Sequence, residues 1–171
     1  MTADRPLPDS LFPAPLRDLA SRLVADAGAQ GHMVATAESC TGGLIAGLLT
    51  EIPGSSAVVD RGFVTYTNAA KTELLGVPAD LIATHGAVSA PVARAMAEGA
   101  LARSRAQMAV AVTGVAGPGG GSDAKPVGLV WFALARSGAA TRTAEHRFGD
   151  RGRTAVRLAT VQVALEMLLR P

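Results

Sequence analysis

Residues 36–43 form the segment TAESCTGG, which brings a carboxylate, three hydroxyls, a thiol and two glycines into eight positions. The segment is predicted to join a buried strand to a helix, and a helix leaves its first backbone N–H groups without partners. A hydroxyl at such a junction can act as a nucleophile, with the N–H groups of Cys40 to Gly43 as oxyanion donors. Ser39 is the candidate nucleophile, although Ala37 replaces the first glycine of the G-x-S-x-G pattern.

The same segment allows two other interpretations. Serine before a helix is more often a cap than a nucleophile. Gly42 and Gly43 favour a functional site instead, because we expect them in the first helical turn, where small residues allow close approach of a ligand. Cys40 is the rival nucleophile, but a single small cysteine is usually buried packing, and no histidine has an evident claim to activate it. These residues alone leave capping and catalysis both open.

A serine nucleophile needs a base, and the segment TYTNAAK supplies two candidates, Tyr66 and Lys71. Tyr66 is the only tyrosine, and Lys71 is one of two lysines among sixteen basic residues. Arginine keeps its proton near neutral pH, whereas a buried lysine can lose it and act as a base. The three histidines show no Ser-His-Asp arrangement. The simpler alternative makes Lys71 a solvated helix residue and Tyr66 an aromatic residue at the edge of the core.

Two further segments have the chemistry of an anion site. The sequence TGVAGPGGGSD, residues 113–123, follows a predicted strand, and its glycines allow backbone amides to point at an anion. It is neither a P-loop nor a G-x-G-x-x-G motif. Arg151, Arg153 and Arg157 surround the start of the last predicted helix and could hold a phosphate or carboxylate. Each segment is also compatible with a flexible loop or a solvated helix face.

Helical and strand patterns alternate along the chain, with one hairpin near its end. This alternation predicts an α/β sandwich with a mixed, mostly parallel sheet. Residues 1–13 are rich in turn-forming residues and are predicted to be a loose N-terminal arm, while residues 14–171 form one domain. The last helix is predicted to start with Asp150 as its N-cap.

Composition narrows the classes of function. The 171 residues are 49% hydrophobic and 18% charged, with a formal net charge of +2, which is typical of a folded protein without a polyanion-binding surface. One cysteine excludes an internal disulfide, and the histidines lack zinc-ligand spacing. No apolar run approaches a membrane span. We expect a cytoplasmic protein that binds neither nucleic acid nor membrane and needs no metal.

The motifs taken together resemble a known family. TAESCTGGLIAGLLTEIPGSS, GFVTYTNAAKTELLGV, HGAVS, AVTGVAGPGGG and KPVGLVWFAL occur in this order, and from about residue 15 onward the chain closely resembles the C-terminal domain of the CinA (competence/damage-inducible protein) family. The resemblance implies a three-layer α/β/α domain without a metal or organic cofactor. It also implies an amidohydrolase that converts nicotinamide mononucleotide (NMN) to nicotinate mononucleotide and ammonia.

The resemblance also implies roles for individual residues. It marks Ser39 as the nucleophile and Tyr66 and Lys71 as its activating partners. Thr113 and Arg153 fall on family site positions. The full set of predicted substrate-binding residues is Thr41, Gly42, Gly43, Thr113, Gly114, Gly117 and Arg153.

Two alternatives of other classes remain. The chain could be a non-catalytic nucleotide-binding module that acts through partners in DNA uptake or repair, or a Ser/Lys amidase or esterase with an unrelated substrate. Small α/β enzymes often form closed dimers, so a homodimer is the favoured oligomer.

Overall fold

The computed structural model describes residues 9–170, and these form a five-stranded mixed sheet between two layers of helices. The strand order is β2-β1-β3-β4-β5. β1 is parallel to both β2 and β3, whereas β4 is antiparallel to β3 and β5, so β4 alone runs against the other described strands. The predicted three-layer sandwich with a mostly parallel sheet is confirmed. The strands are β1 (Val34–Glu38), β2 (Val59–Val64), β3 (Met108–Gly114), β4 (Leu129–Arg136) and β5 (Arg142–Arg147).

The helices divide between the two faces of the sheet. Three of them (α1, α2 and α6) enclose one hydrophobic cluster, and α3, α4 and α5 cover the other face. They are α1 (Ala14–Ala29), α2 (Leu44–Glu51), α3 (Asn68–Leu75), α4 (Ala79–His85), α5 (Ala90–Ala102) and α6 (Arg153–Leu169).

The sequence MAVAV at the start of β3 shows how the two faces differ. Side chains alternate between the faces of a strand. Val110 and Val112 therefore enter the cluster under α1, α2 and α6, while Ala109 and Ala111 enter the cluster under α5. Both sets are fully buried. The small alanine side chains let α5 lie close to the sheet, whereas the larger side chains fill the opposite layer.

The structure changes the predicted boundaries of some elements. α6 begins at Arg153 with Gly152 as its N-cap, so the prediction that Asp150 caps this helix is wrong. Asp150 instead accepts a hydrogen bond from the Gly152 N–H at 3.3 Å, within the preceding turn. The short helix α4 was not predicted, because its seven residues are too few to show a clear helical period.

Part of the predicted N-terminal arm belongs to the domain. Phe12 is only 8% exposed and packs in the cluster formed by α1, α2 and α6. Ser10 bonds to the side chain of Glu51 at the end of α2. Ser10 and Phe12 thus contact the domain, whereas Leu11 is 84% exposed. Residues 1–8 lie outside the described part of the chain, and the loose N-terminal arm stays a prediction.

Candidate active site

A cavity of about 300 Å³ lies at the carboxyl ends of the parallel strands. Ser39 directly follows β1, Thr113 stands near the end of β3, and Tyr66 follows β2. In the sheet, β1 lies between β2 and β3. The chain passes from β1 to β2 on one side of β1 and then crosses to β3 on its other side. Such a reversal of strand order opens a crevice in which open α/β sheets bind ligands. The fold therefore brings segments that are distant in sequence around one polar cavity.

Ser39 and Lys71 form a buried pair in this cavity. The Nζ atom of Lys71 lies 3.1 Å from the Oγ atom of Ser39, and the two residues are 1% and 8% exposed. Nζ also donates to the carbonyl of Thr65 at 2.8 Å. Burial lowers the pKa of Lys71 from its ordinary value of 10.5. A neutral Lys71 can take the hydroxyl proton of Ser39, which is what an activated serine requires.

Lys71 reaches the cavity because of where α3 begins. Thr67 caps this helix by accepting a hydrogen bond from the Ala70 N–H at 3.1 Å, which starts α3 immediately after the strand β2 and its short connection. Lys71 then lies one turn into the helix, on the side that faces the sheet. The alternative that Lys71 is a solvated helix residue is excluded by its burial.

Ser39 is not a helix cap. α2 begins only at Leu44, after Gly43 as its N-cap, and the side chain that satisfies its first amides is Glu38. This fully buried carboxylate accepts hydrogen bonds from the N–H groups of Gly43 and Ile45 at 3.0 Å and of Ala46 at 2.8 Å. Glu38 thus ties the end of β1 to the start of α2 across five residues. We call the intervening residues 39–43 the nucleophile turn.

Gly42 and Gly43 have a conformational role in the nucleophile turn. Their φ angles are +61° and +97°, a region that other residues rarely adopt. The expectation that they occupy the first turn of the helix is wrong, since both precede Leu44. They let the chain reverse within five residues, so that the Gly42 N–H donates to the Ser39 carbonyl at 3.1 Å.

These hydrogen bonds reduce the set of predicted oxyanion donors. The N–H groups of Gly42 and Gly43 are taken by the Ser39 carbonyl and by Glu38. Among the described residues, no other residue accepts a hydrogen bond from the N–H groups of Cys40 and Thr41, although the Cys40 N–H lies close to its own thiol. The candidate oxyanion donors are therefore Cys40 and Thr41 alone, and they belong to the turn rather than to the helix.

Cys40 remains a thiol at neutral pH. Burial is the main cause that raises the pKa of its thiol to about 12, and the Glu38 carboxylate acts in the same direction. The hydrogen bond from its own backbone N–H and the charges of Arg157 and Lys71 act in the opposite direction. A thiol becomes a strong nucleophile only as the thiolate. The structure therefore favours Ser39 over Cys40 as the nucleophile.

Tyr66 lies at the mouth of the cavity and not beside the nucleophile. Its side chain is 57% exposed, and its hydroxyl accepts a hydrogen bond from Arg153 at 3.2 Å. In the described part of the chain, no hydrogen bond joins this hydroxyl to Ser39 or Lys71; only the Tyr66 carbonyl approaches Nζ of Lys71, at 3.5 Å. The geometry gives no support to the prediction that the Tyr66 side chain activates Ser39.

Arg153 connects two walls of the cavity. Besides its bond to Tyr66, it donates to the carbonyl of Gly117 at 2.9 Å. Gly117 belongs to residues 115–126, which we call the glycine loop. Arg153 is the first residue of α6 and is itself exposed. It can therefore offer its remaining donors to an anionic group that enters the cavity.

The other predicted substrate-binding residues separate into two groups. Thr113, Gly114 and Gly117 line the cavity, as does Arg153. The structure places Thr41, Gly42 and Gly43 behind Cys40, outside the residues that line the cavity. The cavity therefore gives no support to substrate contacts by Gly42, Gly43 or the Thr41 side chain, and leaves Thr41 only its backbone N–H as a donor.

Sequence reasoning missed several cavity residues. Ala87 and Val88, from the segment that connects α4 to α5, line the wall opposite Ser39. Thr113 donates to the Ala87 carbonyl at 2.9 Å and so holds this segment in place. Asn68, the first residue of α3, also lines the cavity. The motifs HGAVS and TYTNAAK already contained these residues, but neither small apolar side chains nor a lone amide points to a function by itself.

The larger concavity of this structure lacks comparable chemistry. A cleft of about 680 Å³ lies against α3, α4 and α5. Its charged residues are exposed, and two of them, Arg94 and Glu98, pair with each other at 3.9 Å. Within residues 9–170 we find no cluster of three or more metal-ligating side chains and no helix long and apolar enough to cross a membrane.

Fold and cavity define an α/β/α sandwich protein with a buried serine–lysine pair. The sequence profile of the CinA C-terminal domain matches residues 16–171, so the chain belongs to this family.

Relatives and solved structures agree with this assignment. A CinA-like protein from Akkermansia muciniphila is 56% identical over 140 residues, which are 82% of this chain and 34% of that protein. A competence/damage inducible protein, CihA, from Agrobacterium tumefaciens has a crystal structure with a TM-score of 0.93 and 61% identity, over 94% of this chain and 98% of that one. A competence damage-inducible protein from Klebsiella pneumoniae gives a TM-score of 0.85 and 38% identity, over 90% and 94%. The chain spans about a third of the length of the first of these relatives.

Proposed function

We propose that the chain hydrolyses the carboxamide of NMN to nicotinate mononucleotide and ammonia. The observation that carries the proposal is the buried pair of Ser39 and Lys71, with 3.1 Å between Oγ and Nζ and a lowered lysine pKa. A serine paired with a neutral lysine suits attack on an amide or ester. The resemblance to the CinA family supports the choice of a nicotinamide nucleotide.

The charge of the cavity supports an anionic substrate. Arg153 lines it, and none of its lining residues is an aspartate or glutamate. The cavity of about 300 Å³ is at the lower end of the range of ligand sites, roughly 300–1,000 Å³. With the carboxamide at Ser39, the phosphate of the mononucleotide extends toward the mouth, where Arg153 and the glycine loop are located.

The reaction proceeds through an acyl-enzyme. Lys71 accepts the proton of the Ser39 hydroxyl as Oγ attacks the carboxamide carbon, and the N–H groups of Cys40 and Thr41 hold the oxyanion. Lys71 returns the proton to the leaving nitrogen, the C–N bond breaks, and ammonia departs. Water, deprotonated by Lys71, then attacks the ester carbon; Lys71 returns this proton to Ser39 Oγ as the ester C–O bond breaks, and the carboxylic acid is released. Tyr66 has no proton-transfer step in this scheme and contributes to the mouth of the cavity.

A substrate panel tests this proposal. Ammonia release is measured with NMN, its riboside and free nicotinamide, with Ser39→Ala as the inactive control. We expect turnover of NMN and a much higher KM for the riboside, which lacks the phosphate that Arg153 would hold. Turnover of unrelated amides or esters without NMN would instead identify a different Ser/Lys hydrolase. Binding of NMN without ammonia release would identify a non-catalytic binding module.

Three properties of the protein remain predictions beside this proposal. They are the cytoplasmic location, the absence of nucleic-acid and membrane partners, and the homodimer.

A further inference from the structure

Arg157 contacts the nucleophile turn without lining the cavity. It lies one helical turn after Arg153 in α6, and its Nη2 donates to the Thr41 carbonyl at 2.7 Å. This is a short charge-assisted hydrogen bond to a fully buried residue. The two arginines thus touch different parts of the site, although they are neighbours on one helix.

Two hydrogen-bonded peptide groups lead from Arg157 to an oxyanion donor. The Thr41 carbonyl belongs to the same peptide group as the Gly42 N–H, which donates to the Ser39 carbonyl at 3.1 Å. The Ser39 carbonyl in turn belongs to the same peptide group as the Cys40 N–H. The Arg157 guanidinium lies at one end of this series, next to the Thr41 carbonyl. The Cys40 N–H lies at the other end and donates to no other residue.

The physical consequence is polarisation of the last donor. Hydrogen-bonded groups in series strengthen one another, by about 10–30% per bond, and more effectively where water is excluded. Ser39, Cys40 and Thr41 are all at least nine-tenths buried. The charge of Arg157 also acts directly on the nucleophile turn, since it lowers the pKa of the Cys40 thiol against the effect of burial.

We propose that Arg157 is a positioning residue that fixes the nucleophile turn and polarises the Cys40 N–H toward the oxyanion formed at Ser39. The inference rests on the part of the proposed function that makes Ser39 the nucleophile. Arg157 contacts neither the substrate nor the reacting atoms, and it acts through the peptide groups that contain the Thr41 and Ser39 carbonyls.

The test uses a serine-reactive alkyl phosphonofluoridate, whose reaction does not depend on the natural substrate. Ser39 Oγ forms a bond to phosphorus, the P–F bond breaks, fluoride leaves, and Lys71 takes the hydroxyl proton. The phosphoryl oxygen occupies the oxyanion position. The rate of labelling is measured by intact mass for the wild type and four variants: Arg157→Met, Arg157→Lys, Arg157→Gln and Arg151→Met. Arg151 is an exposed arginine near the start of α6 that does not line the cavity, so it serves as the matched control for charge.

We expect Arg157→Met to slow labelling by about ten-fold, less than the loss caused by deleting an oxyanion donor outright. Arg157→Lys keeps a charge and should label faster than the neutral Arg157→Gln, while Arg151→Met should match the wild type. With NMN, Arg157→Met should lower kcat by a similar factor and leave KM within about two-fold, because the residue acts on the transition state. Melting temperatures report the folding of each variant separately.

Specific results overturn the inference. Labelling of Arg157→Met at the wild-type rate contradicts it, and so do equal rates for Arg157→Lys and Arg157→Gln, which would show that the charge has no effect. A wild type that is labelled at Ser39 but releases no ammonia from NMN overturns the proposed function while the labelling rates still decide the role of Arg157. A wild type that is not labelled at all overturns both.

Discussion

The nucleophile turn and the glycine loop are alike in sequence but differ in how the fold holds them. Both are glycine-containing segments that follow neighbouring parallel strands, β1 and β3, and both border the same cavity. Three of the five residues of the nucleophile turn, Ser39, Cys40 and Thr41, are buried. In the glycine loop, residues 118–124 are exposed.

Charged side chains tie both segments to the rest of the domain, but Glu38 at the nucleophile turn is fully buried whereas Arg153 at the glycine loop is exposed. Charged groups hold the nucleophile turn, since the Glu38 carboxylate bonds to the first amides of α2 and Arg157 bonds to the Thr41 carbonyl. The glycine loop is joined to its surroundings by Arg153 at Gly117, and by Lys125, which donates to the His85 carbonyl at 2.8 Å.

This difference indicates a division of labour between the two sides of the cavity. Bond formation requires reacting atoms held in a narrow range of positions, which the buried charges around the turn provide. Binding a phosphate requires donors that can adjust to it, which an exposed loop and an arginine side chain provide. Changes in the turn should therefore alter kcat, and changes beside the loop should alter KM.

Ser39→Ala should have the largest effect. The variant lacks the attacking oxygen, so we expect a loss of kcat of at least about 10⁴-fold, with folding and NMN affinity retained. Ammonia release is measured together with calorimetric binding and thermal unfolding. Near-normal turnover would contradict the role of Ser39 as the nucleophile.

Lys71→Arg should have the next largest effect, because it keeps the positive charge and removes the titratable amine. We expect a loss of kcat of about 10³-fold. In the wild type Lys71 must be neutral to accept a proton, so kcat/KM should rise with pH through the lowered pKa of Lys71 and level off above it. This midpoint should lie below 10.5, the ordinary value for lysine. A pH profile with no such rise would argue against Lys71 as the base.

Arg153→Met should act on binding. It removes donors from the mouth of the cavity beside the glycine loop, and a charge-assisted hydrogen bond contributes about 1.5–3 kcal/mol. We expect KM for NMN to rise by about ten-fold or more with little change in kcat, and a much smaller change for the riboside. Initial rates with both substrates measure this difference. A fall in kcat with unchanged KM would contradict the proposed division between the two segments.

Cys40→Ala should have the smallest effect on turnover. The thiol is protonated at neutral pH, and the substitution leaves the Cys40 backbone N–H in place. We expect kcat within about two-fold of the wild type and a loss of about 1 kcal/mol in the free energy of unfolding from the small cavity. Loss of activity in a folded protein would move the nucleophile from Ser39 to its neighbour.

Local patterns predicted the fold class but not every boundary. The alternation of helical and strand segments along the chain, with one hairpin near its end, was sufficient for an α/β sandwich with a mixed sheet. The cap of α6 was misplaced because Asp150 has the right residue type, and only the backbone shows that Gly152 holds the N-cap position.

The candidate site was predictable where an unusual residue type marked it. Lys71 could be singled out because lysine is rare in a chain whose basic residues are mostly arginine, and Ser39 because of its place before a predicted helix. Tyr66 was equally rare, yet the fold turns its hydroxyl toward Arg153 and away from the nucleophile. Residue type therefore selected candidates without showing which of them meet.

The sequence by itself determined the groups available for chemistry, namely a serine hydroxyl, a lysine amine, a glycine-rich loop and arginines at a helix start. Only the tertiary structure decided their roles. Burial lowers the pKa of Lys71 and raises that of Cys40, and this desolvation depends on atoms far away in the chain. Arg153 and Arg157 are one helical turn apart and identical in type, yet one lines the cavity and the other bonds to Thr41. That distinction comes from how α6 packs against the sheet, because contacts between distant segments exist only once the chain has folded.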